Sequence, residues 1–295
     1  MTLSLVINPS SGGGRSLRLL PRLIAALKDV GIDAETHITK SPNHLRELVT
    51  QVGASPRDTV VAVGGDGTNM AVVDALISLH GANPLPTVGL IPLGRGNSFA
   101  CDLDLRTLEE GVAALARRRV RAVDVARFSC EGLTGHFLNC LGLGFVTDAA
   151  GTAARVPFFG DLSYVAGVFH RVLEMRPHLV EIEVDDQRLK GNVCFLEVCN
   201  SKNTGGNMVI APDAEINDGL LDIVWVSRLT RRSLLSTFPR IFKGTHGVNP
   251  AVKFLRGRKI SIKASPAEDL LPDGDVLGTT PVAIEVLPSR VDYLW

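Results

Sequence analysis

Val60-Val61-Ala62-Val63-Gly64-Gly65-Asp66-Gly67-Thr68 decides how this chain is read. The apolar run predicts a buried strand, Gly-Gly-Asp-Gly-Thr an abrupt turn, and Met70, Val73 and Ile77 then recur at helical spacing. Glycine lets the main chain approach a bulky anion, and the amides that open a helix point at phosphate. Asp66 is the one charge in the turn, and it repels phosphate unless a divalent cation lies between them. The stretch is shaped for a metal-bound nucleotide. The competing reading is a tight structural turn in which Asp66 caps a helix.

Strand and helix patterns alternate on both sides of this stretch. Residues 3–7 predict a short strand, followed by the polar loop Asn8-Pro9-Ser10-Ser11-Gly12-Gly13-Gly14. A helix then carries Leu20, Leu23, Ile24 and Leu27 on one face, and Pro21 must sit in its first turn or kink it. Residues 34–38 predict a second strand, and Leu45, Leu48, Val49 and Val52 a second amphipathic helix. Residues 87–91 predict another buried strand, which runs into Pro92-Leu93-Gly94-Arg95-Gly96-Asn97-Ser98. Thr107 and Glu110 form a capping box ahead of a helix bearing Leu108, Val112 and Leu115. Such alternation predicts a parallel sheet covered on both faces, with ligands outside the carboxyl ends of its strands. The glycine-rich segments at 8–14, 64–68 and 94–98 would all lie at that edge.

From about Val123 the pattern changes. Val180, Ile182 and Val184 alternate with Glu181, Glu183 and Asp185, which predicts a half-exposed strand. Residues 192–199, 221–226, 259–264 and 282–287 are further strands, with helices at 162–175 and 231–242. The fold class is therefore an α/β N-terminal nucleotide-binding domain, residues 1–125, plus a mainly antiparallel β-sandwich C-terminal domain, residues 126–288. Residues 289–295 form a tail that could return to the first domain.

Composition excludes some functions. Lys+Arg and Asp+Glu are both 31, so no global positive field recruits nucleic acid, and the basic clusters Arg117-Arg118-Arg119 and Arg256-Arg258-Lys259 read as solvated faces. Five cysteines without zinc-site spacing read as buried thiols in a reducing cytoplasm. The N-terminus lacks the basic flank of a signal peptide, and no apolar run approaches the ~20 residues that span a bilayer. The expected location is cytoplasmic, with peripheral contact at the inner membrane face. The apolar stretch Val156-Pro157-Phe158-Phe159 could dip into lipid or pack between domains, and an exposed edge strand leaves a homodimer open.

The ordered motifs resemble the diacylglycerol kinase catalytic-domain family, which includes bacterial diacylglycerol kinases and sphingosine-type lipid kinases. Asn8-Pro9-Ser10-Ser11-Gly12, Gly64–Thr68 and Gly94-Arg95-Gly96-Asn97-Ser98 are similar to its three nucleotide loops. Asn139-Cys140-Leu141-Gly142-Leu143-Gly144-Phe145, Gly205-Gly206-Asn207-Met208, Ala211-Pro212 and Asp218-Gly219-Leu220-Leu221-Asp222 resemble segments of its second domain. Asp273-Gly274-Asp275 stands where the family has Asp-Gly-Glu.

The resemblance implies an NAD-kinase/diacylglycerol-kinase-like fold with ATP in a cleft between two domains, and phosphoryl transfer to a lipid hydroxyl, diacylglycerol or a related alcohol. It also implies roles. Asn8, Ser10, Gly12, Gly65, Gly67 and Thr68 would surround the phosphates, together with the neighbouring Gly64, Gly96 and Asn97, and Thr39 would lie near the sugar. Asp66 would hold Mg2+, Asp275 would act as general base, and Glu215, Asp218 and the Leu220 carbonyl would take a second Mg2+.

Five positions depart from the family pattern. Met70-Ala71 replaces an Asn-Glu pair, Ser98 an aspartate, and Arg95 a small threonine, where it could reach phosphate as a bidentate cation. Asp275 is one methylene shorter than glutamate. Two other functions stay open: NAD-kinase-like phosphorylation of a soluble nucleotide, and a nucleotide- or lipid-binding regulator that has lost catalysis.

Overall fold

The computed structural model describes residues 3–144 and 177–295. The helix expected at 162–175, the apolar stretch at 156–159 and Phe145 lie outside the described residues. The chain divides into two compact units. The first contains Met1–Val125, Ile216–Asp218 and Leu287–Trp295, and the second Ala126–Glu215 and Gly219–Val286.

The first unit is built on four parallel strands in the order β2 (Glu35–Ile38), β1 (Leu3–Ile7), β3 (Thr59–Gly64) and β4 (Thr87–Pro92). Leu5 lies beside Val61, and Val61 beside Gly89. Beyond β4 the chain's last residues add a parallel partner, with Tyr293 opposite Val88. β3 is buried along its whole length, as expected of a strand covered on both faces. Alternate residues therefore serve two helical layers. Leu5, Ile7, Val61, Val63, Ile91 and Leu93 pack with Leu23 and Leu27 of α1 (Ser11–Asp29) and with Leu108, Val112 and Leu115 of α5 (Leu108–Arg117). The opposite layer is α2 (Pro42–Val52) against α3 (Asp66–His80).

The local signals act as their chemistry dictates. Thr107 Oγ1 accepts the Glu110 N–H at 3.1 Å and Glu110 Oε2 accepts the Thr107 N–H at 2.8 Å, which closes the capping box. Ser41 Oγ accepts the His44 N–H at the start of α2. Pro21 lies inside α1, past its first turn. One short helix, α4 (Ser98–Asp102), goes beyond the sequence reading.

The second unit is antiparallel, in the order β13 (Val252–Gly257), β12 (Leu221–Ser227), β9 (Gln187–Cys199), β8 (His178–Val184), β14 (Lys259–Ser265) and the first part of β16 (Val282–Leu294). The thirteen-residue β9 changes partners along its length. Its first half pairs with β8, and its second half lies between β12 and β7 (Cys140–Gly144). β7 in turn pairs with β15 (Leu270–Pro272), and β5 (Val120–Cys130) forms a hairpin with β6 (Leu133–Phe137). Their inward residues make one core that includes Phe128, Phe137, Leu196, Ile223 and Trp225. Val180, Ile182 and Val184 of β8 are buried while Leu179 and Glu181 are exposed, which is the period-two pattern of the sequence. A smaller apolar cluster joins Cys140, Cys199 and Val224 to Ile210, Ala211 and Ala214. The helix expected at 231–242 is α6 (Arg231–Ile241).

Candidate active site

In the first unit, the turns that follow β1, β3 and β4 are tied to one another. The Asn8 side chain donates to Thr68 Oγ1 at 3.1 Å, and Ser11 Oγ lies 3.1 Å from the same hydroxyl. Asn8 Oδ1 accepts both the N–H and the hydroxyl of Ser10, which shapes the first loop. The main-chain N–H groups of Leu93 and Gly94 donate to the Gly64 carbonyl, binding the third turn to the second.

This closeness explains the glycines. A Cβ on Gly94 would stand 2.3 Å from the Gly65 Cα, and one on Gly64 would stand 2.5 Å from Thr68 Oγ1. Gly12 has φ of 62°, and its Cβ would meet the Leu93 carbonyl oxygen at 2.4 Å. Gly67, by contrast, is exposed with nothing within 4 Å of a built Cβ, so an open approach to the first turn of α3 exists there.

Asp66 is the first residue of α3, and its carboxylate reaches the third turn. Oδ2 accepts the Ser98 N–H at 2.9 Å and Oδ1 the Phe99 N–H at 3.0 Å. Asp66 thus caps α4, across 32 residues of sequence, rather than only its own helix. Both carboxylate oxygens are engaged with main-chain N–H groups, and a carboxylate offers about four lone-pair sites in all. Mg2+ keeps several waters and takes one or two carboxylates plus substrate phosphates, and a single half-buried Asp beside helix amides suits that donor set. Among the described residues no three or more His, Cys, Asp or Glu side chains cluster closely enough to hold a metal.

Ser98, which stands in place of the family's aspartate, is buried at the start of α4 and donates its main-chain N–H to Asp66. The Arg95 guanidinium lies over the first loop, 3.3 Å from where a Gly13 Cβ would be, with no carboxylate partner among the described residues. Asn97 has φ of 53° and fastens its own turn through bonds to the N–H and carbonyl of Gly94. Gly96 is exposed on the same turn. Thr39 is buried at the end of β2, where its N–H donates to Ile7. At the far end of the chain Tyr293 donates a buried hydrogen bond of 2.9 Å to Asn69 Oδ1, one residue past Thr68, and its ring packs on Phe99.

In the second unit, Asp273-Gly274-Asp275 follows β15 as a tight turn, with φ of 46° at Asp273 and 98° at Gly274. The Asp273 carboxylate accepts three main-chain N–H groups, from Leu138 at 2.8 Å, Asn139 at 2.8 Å and Cys140 at 3.1 Å. Asn139 is itself held, since its Oδ1 accepts the Ser201 hydroxyl and its carbonyl the Asn200 N–H. Asp275 is exposed, and its carboxylate has no hydrogen bond or ion pair among the described residues. The turn is therefore both a hairpin and a rigid mount: Asp273 fixes it and Asp275 projects from it.

Glu197 lies in the same unit and is 1% exposed. Its Oε1 accepts the Thr204 hydroxyl at 3.1 Å, whereas Oε2 is buried without a hydrogen-bond partner among the described residues. Loss of solvent pushes the carboxyl pKa up, and the Cys140 thiol and Thr204 hydroxyl pull it part of the way back. Burial likewise raises Cys140 and Cys199 well above the ordinary thiol range, so neither is a ready nucleophile.

Glu215, Asp218 and Leu220, expected at a second Mg2+, lie on the stretch leading into β12, Glu215 exposed and the other two half-buried. Tyr293, Asn69, Asn200, Ser201 and Glu197 escaped the sequence reading. Tyr293 and Asn69 are 224 residues apart, Asn200 and Ser201 reach partners 62 residues away, and no local period marks any of the five.

Two families match this chain. The diacylglycerol kinase catalytic domain matches residues 2–128, and the YegS C-terminal NAD kinase beta sandwich-like domain matches residues 141–294. The chain is 28% identical over 292 residues to a diacylglycerol kinase of Mycobacterium tuberculosis (strain CDC 1551 / Oshkosh), covering 97% of this chain and 93% of that protein. It is 24% identical over 284 residues to the diacylglycerol kinase of Bacillus subtilis (strain 168), covering 94% and 90%. Among solved structures, a diacylglycerol kinase from Bacillus anthracis str. Sterne superposes with a TM-score of 0.72 at 21% identity, covering 100% of this chain and 96% of that one, which shows a shared fold.

Proposed function

The chain belongs to the diacylglycerol kinase family with a YegS-type C-terminal domain, and on that premise we propose that Asp66 and Asp275 carry an ATP-dependent phosphoryl transfer to the hydroxyl of diacylglycerol or a closely related lipid. It is a lipid kinase with an alcohol acceptor. The observation that carries the residue assignment is the knitting of three glycine turns around Thr68 and Asp66, with open space at Gly67.

Phosphoryl transfer asks the protein for alignment, charge neutralisation and a proton acceptor. The main chain at 8–12, 64–68 and 94–97 binds and orients the phosphates, and Arg95 adds a cation on the solvent side. Mg2+, when bound, would neutralise phosphate charge, and Asp66 would hold it; Glu215, Asp218 and the Leu220 carbonyl would hold a second, structural ion. Asp275 accepts the proton of the attacking hydroxyl. As an exposed carboxylate on a turn locked by Asp273, it has the unpaired oxygens that role needs. The acceptor brings the enzyme to a bilayer surface.

The test is incubation of the purified protein with labelled ATP, Mg2+ and a panel of diacylglycerol, monoacylglycerol, ceramide and sphingoid bases. Label in phosphatidic acid supports the reading. A panel without labelled lipid, alongside phosphorylation of NAD, would replace it with the soluble-nucleotide alternative.

A further inference from the structure

Although the chain is neutral as a whole, its charge is unevenly placed: between Asp222 and Glu268 stand ten Lys and Arg residues and not one Asp or Glu. In the second unit this stretch runs from within β12 to just past β14, and between those strands it folds into α6, a short helical turn (His246–Val248) and the edge strand β13. Asn249 donates to the hydroxyls of Ser233 and Thr237 in α6, and the rings of His246 and Phe254 meet at 5.4 Å.

α6 buries Thr237 and Phe238 and turns a different face outward. That face carries Arg232, Leu235, Arg240 and, one turn on, Lys243. Large apolar side chains stand among the cations: Leu235 is 48% exposed, Phe242 38%, Val248 67% and Phe254 39%. Arg232, Arg240 and Lys243 have no carboxylate partner among the described residues, whereas Arg256 is paired with Asp222 at 3.1 Å.

We propose that this face docks on an anionic phospholipid surface. Cations would sit at the headgroups while the apolar side chains enter the boundary beneath them, the division of labour of interfacial amphipathic elements. The lack of any acid across the stretch removes the repulsion that a negative surface would otherwise meet. The inference rests on the lipid-kinase reading for its purpose, since the acceptor lives in a bilayer, but not for its chemistry.

Each cation near such a surface strengthens binding by about fivefold. In co-sedimentation, the full chain is expected to pellet with vesicles of equal parts phosphatidylcholine and phosphatidylglycerol, less so as salt rises, and not with phosphatidylcholine alone. The variant R232E/R240E/K243E should weaken that binding by at least about a hundredfold, and L235S/F242S should weaken it at all salt concentrations. Both variants should keep the wild-type unfolding transition and wild-type turnover of short-chain diacylglycerol in neutral detergent micelles. Unchanged vesicle binding by folded variants, equal binding to neutral vesicles, or a wild-type dimer that these substitutions dissociate in place of vesicle binding would each overturn the proposal. Vesicle binding without micellar turnover would instead count against the kinase reading alone.

Discussion

Gly65 and Gly94 touch through their main chains: a methyl group on Gly94 would lie 2.3 Å from the Gly65 Cα and 2.7 Å from Asn97 Oδ1. Two turns from different strands can share so small a space only if neither carries a side chain. Gly94→Ala must therefore separate them, at a cost of about 1–3 kcal/mol for forced overpacking, and should raise the KM for ATP. Gly67→Ala meets nothing within 4 Å and should leave the unfolding transition unshifted or slightly higher. A loss of ATP affinity in that folded variant would report phosphate approaching the α3 amides, and unaltered kinetics would count against that approach.

The two aspartates of the 273–275 turn should separate stability from chemistry. Asp275→Asn should lower kcat by about 10²–10⁴-fold, the usual worth of a general base, with the melting temperature unchanged. Asp273→Asn weakens charge-assisted bonds to Leu138, Asn139 and Cys140 and should cost about 1.5–3 kcal/mol in urea unfolding. A D275N variant of wild-type kcat would remove the base assignment.

Tyr293→Phe deletes the buried bond to Asn69, whose Nδ2 has no hydrogen-bond partner among the described residues. The expected cost is about 1–3 kcal/mol, measured by denaturant unfolding, with a weaker affinity for ATP because Asn69 adjoins Thr68. An unchanged KM would limit Tyr293 to a structural role.

Glu197 makes stability depend on pH in a definite direction. Its folded pKa lies above the unfolded value, so the folded state holds the proton longer. Below the unfolded pKa both states are protonated and there is no penalty. As pH rises past that value only the unfolded chain ionises, and stability falls until the folded group also releases its proton. Thermal unfolding of wild type against Glu197→Gln between pH 4 and pH 8, roughly the range around an ordinary carboxyl, should show this decline in the wild type and a flatter profile in the variant. Parallel profiles would exclude Glu197 as its source.

The parts of the molecule legible in the sequence are those whose information is local. The glycine turns, the buried strand before Asp66, the Thr107–Glu110 box and the alternation at 180–184 announce themselves within a few residues. β5 and β6 go beyond the sequence reading, because Arg121, Asp124 and Arg127 interrupt the apolar run of β5 and the turn at Glu131 and Gly132 lacks an Asn-Gly or Asp-Gly signal. β13 is an edge strand with Lys253, Phe254 and Arg256 exposed, so burial imposes no period on it. The Ser98 N–H that Asp66 accepts is a main-chain contact that any residue but proline could supply, so no side-chain signal at 98 announces it. Asp273, one member of a short motif, fixes a segment 133–135 residues away, a relation that exists only once the chain is folded.

The most direct measurement of the central claim is Mg2+-dependent transfer of label from ATP to dispersed diacylglycerol by wild type and by Asp66→Asn, each verified as folded by circular dichroism. Asn keeps an acceptor for the Ser98 or Phe99 N–H but loses the charge that would hold the cation. The account predicts labelled phosphatidic acid from the wild type and a loss on the order of a hundredfold or more in the variant. Equal labelling by a folded Asp66→Asn protein would contradict it.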